Sequence, residues 1–147
     1  MMLKTIKNYF FSAFREIFVY HHSSLEFRAK TYAVLIASSH EPLSNYQSTL
    51  NEIASEIYPE PDRADALVIT VKEYLKNIHS KKQRGEEALL MEVIRELRQV
   101  PRYALKIEPD HLTRLQACTN DEESIIYQDR LIDFLEQKRL EYRELKR

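Results

Sequence analysis

The chain has 147 residues, with one glycine, five prolines, one cysteine and no tryptophan. Average usage would put about ten glycines in this length, at roughly 7%. Dinucleotide fingerprints, phosphate-cradling loops and glycine-dependent hairpin turns are therefore excluded, and an all-α single-domain bundle is expected. A net charge of −1 lacks the excess of Lys and Arg on which general nucleic-acid affinity rests, and the lone Cys118 leaves neither an internal disulfide nor a CxxC zinc signature.

The hydrophobic spacing predicts about seven helices. The first covers residues 3–20, with Ile6, Phe10, Phe14, Ile17 and Phe18 on one wide stripe, Phe11 and Tyr9 beside them, and Lys4, Lys7, Arg15 and Glu16 mostly off its centre. Arg15 and Glu16 break its apolar run, which fits neither a signal peptide nor the ~18–20 apolar residues of a spanning helix. After His21-His22, Ser23 with Glu26 forms a capping box for a second helix reaching Ser38, with Phe27, Tyr32, Val34, Leu35 and Ile36 apolar. Ser44 with Gln47 is a second box, and Leu43 stands at the staple position. The third helix carries Tyr46, Leu50, Ile53, Ala54 and Ile57, and Pro59-Glu60-Pro61 ends it.

Asp62 is the expected cap of a fourth helix, which holds Leu67, Val71, Leu75 and Ile78. The polar stretch Ser80 to Gly85 contains the only glycine and reads as a flexible loop and as the joint between two halves. A fifth helix follows from Glu86 to Gln99, stopped by Pro101. Pro109 suits the first position of a short sixth helix. Thr119 with Glu122, or Asn120 with Glu123, caps the seventh, whose dense charge from Lys138 onward predicts solvent or a partner.

A shift of 81 residues produces an internal echo: Tyr46-Gln47 falls on Tyr127-Gln128, Leu50 on Leu131, Val34 on Leu115 and Glu41 on Glu122. Each copy is a helix, a short loop with acidic character and a capped helix, LIASSHEPLSNYQSTLNEIASEI and LQACTNDEESIIYQDRLIDFLEQ. The arrangement resembles the tellurite-resistance TerB family and the related amino-terminal domain of some membrane-bound J-domain proteins, over roughly residues 25–137. Those domains are all-helical and built from two similar halves. The resemblance implies a TerB-like domain over 23–147, a stress-related setting, and loop carboxylates that take a divalent cation. Departures fall on those loops. His40 and Asp121 occupy the acidic positions, Glu41 and Glu122 replace the family's glycine, and Gln47 and Gln128 replace its helix-opening acid. The first loop, with His40 and Glu41 as candidates, offers one charge where a hard cation wants several carboxylates. Asp121, Glu122 and Glu123 remain the metal candidate, with first-turn acids complementing the helix dipole as the stronger reading.

No catalytic constellation stands out, and no cofactor is expected. His21 and His22 are adjacent, His40, His79 and His111 are isolated without zinc spacing, and Cys118 sits on an apolar face as a structural thiol. Lys76, Lys81, Lys82 and Arg84 read as a solvated run. The leading expectation is a cytoplasmic, non-catalytic interaction or scaffold module with a protein partner and no nucleic acid. The alternatives are a peripheral protein at the inner membrane surface, anchored by Phe10, Phe14 and Phe18 with Lys4 and Lys7 toward headgroups; a homo-oligomer formed through the first and last helices; and a divalent-cation-binding domain.

Overall fold

The computed structural model describes residues 23–80 and 85–145. The predicted first helix, with Lys4, Lys7, Phe10, Phe14 and Phe18, lies outside the described residues, as do Lys81, Lys82 and Arg84. Among the described residues are six α-helices: α1 (Ser23–Ala37), α2 (Gln47–Ile57), α3 (Pro61–Ser80), α4 (Gly85–Gln99), α5 (Pro109–Gln116) and α6 (Glu122–Leu145). Two 3-10 segments, Leu43–Asn45 and Pro101–Lys106, join them, and no strand occurs among the described residues. The all-α expectation is met.

The bundle is organised around α1. From Leu25 to Ile36 every residue except Glu26 and Lys30 is buried. A helix apolar on all sides belongs at the centre of a core, and α1 touches α3, α4, α5, α6 and the second 3-10 segment. Each large side chain it fully buries, such as Phe27, Tyr32 or Leu35, contributes about 1.5–3 kcal/mol relative to exposure. Polar contacts fix its rotation. Lys30 reaches Glu96 of α4 at 2.6 Å, and the Tyr74 hydroxyl of α3 donates to Glu26. The Phe27 and Tyr103 rings lie 5.2 Å apart, seating the 3-10 segment on α1.

Several predicted boundaries shift for local reasons. The Ser44–Gln47 capping box does not form: Ser44 lies in the 3-10 segment, and α2 starts from Tyr46 with no side-chain cap. Helix α3 begins at Pro61, one residue before the expected Asp62 cap, because proline at the first position lacks only an N–H that would be unsatisfied there. Gly85 is the buried first residue of α4, not part of the preceding loop. A Cβ on it would stand 3.0 Å from the Ile78 Cα and 3.1 Å from the Ile78 carbonyl oxygen, so the glycine permits close approach of α4 to α3. Helix α6 is capped by neither Thr119 nor Asn120. The Asp121 carboxylate accepts from the Ser124 N–H at 3.0 Å and its hydroxyl at 2.7 Å. The last third of α6 is not wholly solvated either, since Tyr142 is buried.

Candidate functional site

The two echoed loops meet in space. Helix α1 ends where Ser38 and Ser39 turn their hydroxyls back to the carbonyls of Val34 and Ile36, at 2.7 and 2.8 Å. Ser39 also receives the Tyr46 hydroxyl at 2.7 Å. That hydroxyl pairs with Thr119 Oγ1 at 2.6 Å, and Gln128 Nε2 donates to the Leu35 carbonyl at 3.1 Å. The His40 N–H donates to Ser124 Oγ at 3.2 Å. Glu41 accepts the Asn120 N–H at 3.2 Å and the Asn45 amide at 2.6 Å. Buried polar groups are stable when hydrogen-bonded in this way. One is left over: Gln128 Oε1 is buried with no partner among the described residues.

These bonds define the work of the predicted loop residues. Glu41 closes one loop on the other, and His40 contributes its backbone while its side chain is exposed. Asp121 is a helix cap whose carboxyl is held below its ordinary range, first by the Ser124 hydroxyl and then by the Ser124 N–H. Glu122 and Glu123 are exposed on the first turn of α6. Among the described residues no group of three or more His, Cys, Asp and Glu side chains is arranged to hold a metal ion.

Beside this junction lies a cavity of 660 Å³. Its walls are the end of α1 (Val34, Ala37), the first turns of α4 (Leu90) and the first half of α6 (Tyr127, Leu131, Phe134). Glu86, Glu87 and Glu123 stand on its rim, with Arg130 and His40 as the basic groups. Glu86 and Glu123 are exposed and make no ion pair among the described residues. Tyr127 is 63% exposed, an unusual place for a ring in a chain that buries most of its large apolar groups. The volume is within the roughly 300–1,000 Å³ of binding clefts. Neither the cavity nor its acidic rim was predicted from sequence. Its walls come from three helices far apart in the chain, and the exposed pair Ile126-Tyr127 on α6 is the local sign of it.

A second cluster was also missed. The Arg28 guanidinium, buried on α1, donates to Glu108 at 2.5 Å. Glu108 also meets His111 Nδ1 at 3.0 Å, which lies 3.3 Å from the Tyr32 hydroxyl. Burial is the largest single influence and would lower the Arg28 pKa, but the bond to Glu108, the Glu108 charge and the neighbouring Tyr32 and Tyr58 together outweigh it and the value is raised. Burial also pushes the Tyr32 hydroxyl well above the ordinary tyrosine range. The two partners on or beside α5, Glu108 and His111, clamp Arg28 and Tyr32 of α1 in place, so His111 is a structural histidine rather than an isolated surface one. Cys118 is half-buried, 3.2 Å from Thr49 Oγ1. His79 is exposed at the end of α3, where Lys76 is exposed too. At the surface, Arg114 grips Glu56 through two bonds of 2.8 Å, holding the Glu56 carboxyl below its usual range.

No family model, no curated protein and no solved structure matches this chain.

Proposed function

We propose that the protein is a non-catalytic helical interaction module, and that its binding surface is the cavity between α1, α4 and α6. The observation that carries this reading is the pairing of an apolar wall (Val34, Leu90, Leu131, Phe134) with the exposed carboxylates Glu86 and Glu123 on its rim. An apolar groove of this kind receives the apolar face of an amphipathic helix, read through anchors at i, i+3 or i+4 spacing. The rim selects a helix bearing Lys or Arg beside its apolar face, since opposite charges steer encounter and like charges are rejected. Its hydroxyls at Ser39 and Ser124 serve the fold: Ser39 accepts from Tyr46, and Ser124 donates to the Asp121 carboxylate that caps α6. Meeting of the two loops that carry the TerB resemblance supports a common architecture of paired halves, with the groove as this chain's working surface.

The test uses a fluorescently labelled synthetic helix with a Leu/Phe stripe and lysine flanks, titrated with the full chain. Binding should weaken at least tenfold when the flanking lysines become glutamates, and again when exposed Tyr127 and half-buried Leu90 become glutamate. Equal binding of both peptides, or indifference to the two substitutions, would remove the groove as the interaction surface.

A further inference from the structure

We infer that the groove's partner is a helix of fixed charge order, with an acidic residue two turns before a basic one, and that it lies antiparallel to α6. The inference rests on the groove reading above and names the partner's register and direction. The groove's charge is polarised along its length. Lys30 of α1 reaches Glu92 and Glu96 of α4 at 3.5 and 2.6 Å, while Glu86, Glu87 and Leu90 of α4 line the groove with Val34 and Ala37. Helix α4 therefore runs back along α1. Helix α6 does the same: the His40 N–H meets Ser124 Oγ at 3.2 Å, and Gln128 Nε2 meets the Leu35 carbonyl at 3.1 Å. The first turns of α4 and α6 thus share one end of the groove, and that end carries Glu86 and Glu123.

Arg130 lies further in. Glu123, Tyr127, Arg130 and Phe134 of α6 line the groove at spacings of four, three and four, so they form one stripe on one helix face. Arg130 stands about 10 Å from Glu123 along the helix, at 1.5 Å per residue. Both side chains are exposed and make no ion pair among the described residues. Between these opposite charges lie the Tyr127 ring and the apolar wall at Leu90 and Leu131. The complement is a partner helix with opposite charges at i and i+7 and apolar residues at i+3 and i+4. Direction follows from the helix termini. The amino-terminal ends of α4 and α6 carry partial positive charge, and the carboxyl-terminal end of any helix carries partial negative charge. A partner that brings its carboxyl-terminal turn to the Glu86–Glu123 end opposes those dipoles, and the basic residue needed there is the one its own last turn favours. In chain order the partner therefore reads acid, two residues, an apolar pair, two residues, then Lys or Arg.

The test titrates three labelled helical peptides with one Leu/Phe stripe into the full chain. The first has Glu at i and Lys at i+7, the second Lys at both positions, and the third Lys at i and Glu at i+7. The first should bind about fivefold more tightly than the second and about tenfold more tightly than the third. The exchange Glu123→Lys/Arg130→Glu alters two exposed side chains, leaves the net charge unchanged and should reverse the preference between the first and third peptides, with its fold checked by circular dichroism. On the native chain, a nitroxide at the carboxyl end of the first peptide should enhance amide relaxation at residues 86–87 and 123–124, and one at its amino end at residues 130–134. Equal binding of the first and third peptides, preference for the third, an unreversed preference in the folded exchange variant, or the inverted relaxation pattern overturns the inference. The groove reading then still stands if Tyr127→Glu and Leu90→Glu abolish binding of the lysine peptide. Failure of every peptide to bind removes the groove reading and the inference with it.

Discussion

Two buried polar constellations carry most of what single residues do here. Arg28 is 7% exposed and depends on Glu108 for its charge balance. Removing one partner of a buried pair leaves an uncompensated charge, which costs about 3–5 kcal/mol when both are buried. The Glu108 side chain is 36% exposed, so Glu108→Ala should cost about 2–3 kcal/mol in urea unfolding, discounted for solvent screening. Arg28→Met, which removes the charge and keeps the volume, should cost less than Glu108→Ala. The Tyr46 hydroxyl is bonded to Ser39 and Thr119, with Gln128 3.5 Å away. Tyr46→Phe leaves those buried groups short of a partner and should cost about 1–3 kcal/mol. The sequence identified Tyr46 only as an apolar helix position, and His111 only as an isolated histidine. Thr119, which bonds Tyr46, and Tyr32 and Arg28, which tie the Glu108–His111 pair to α1, are distant in the chain and beyond any spacing rule.

Among the helical elements, the central ones were legible and their ends were not. Apolar stripes located α2 to α6, and a dense apolar run located α1, which is buried on nearly every side. The caps depended on competing side chains. Thr119 could not cap α6 because it is buried against Tyr46, which left Asp121 to do so. That choice has a pH consequence. The Asp121 carboxyl, bonded to Ser124, is held below the usual aspartate range, and the Glu56 carboxyl, bonded to Arg114, below the usual glutamate range. A depressed folded-state pKa means the stabilisation is fully present above the unfolded pKa and is lost as pH falls through the folded one. The thermal midpoint should therefore fall as pH is lowered from about 5 to about 3. Asp121→Asn keeps a good cap but removes the titration, so its fall should be shallower; an identical fall would place the acid sensitivity elsewhere. Gly85 provides the second test at this scale. Alanine in a helix normally gains about 0.4–1 kcal/mol through the unfolded chain. Here the new Cβ meets Ile78 backbone at 3.0 Å, and overpacking of this kind costs about 1–3 kcal/mol. Gly85→Ala should lower the urea midpoint; an increase would show that α4 can shift away from α3.

For the molecule as a whole, the scarcity of glycine foretold the helical class, and the 81-residue echo identified two loops that do bond to each other. The echo did not foretell burial. Tyr46 is fully buried while its counterpart Tyr127 is 63% exposed. Burial instead aligns Tyr46 with Ser124, Leu50 with Gln128, Ile53 with Leu131 and Ala54 with Ile132, a spacing of 78. The difference of three equals the length of the 3-10 segment Leu43–Asn45, which advances the first copy by about one helical turn. The most direct measurement of the groove's role titrates the lysine-flanked Leu/Phe helix into the full-length chain and records amide chemical shifts in solution. Shifts confined to residues 34–40, 86–90 and 123–134, and lost when the peptide lysines become glutamates, are the predicted result. Shifts at the far face, around α2 and α5, or none at the groove would contradict the account.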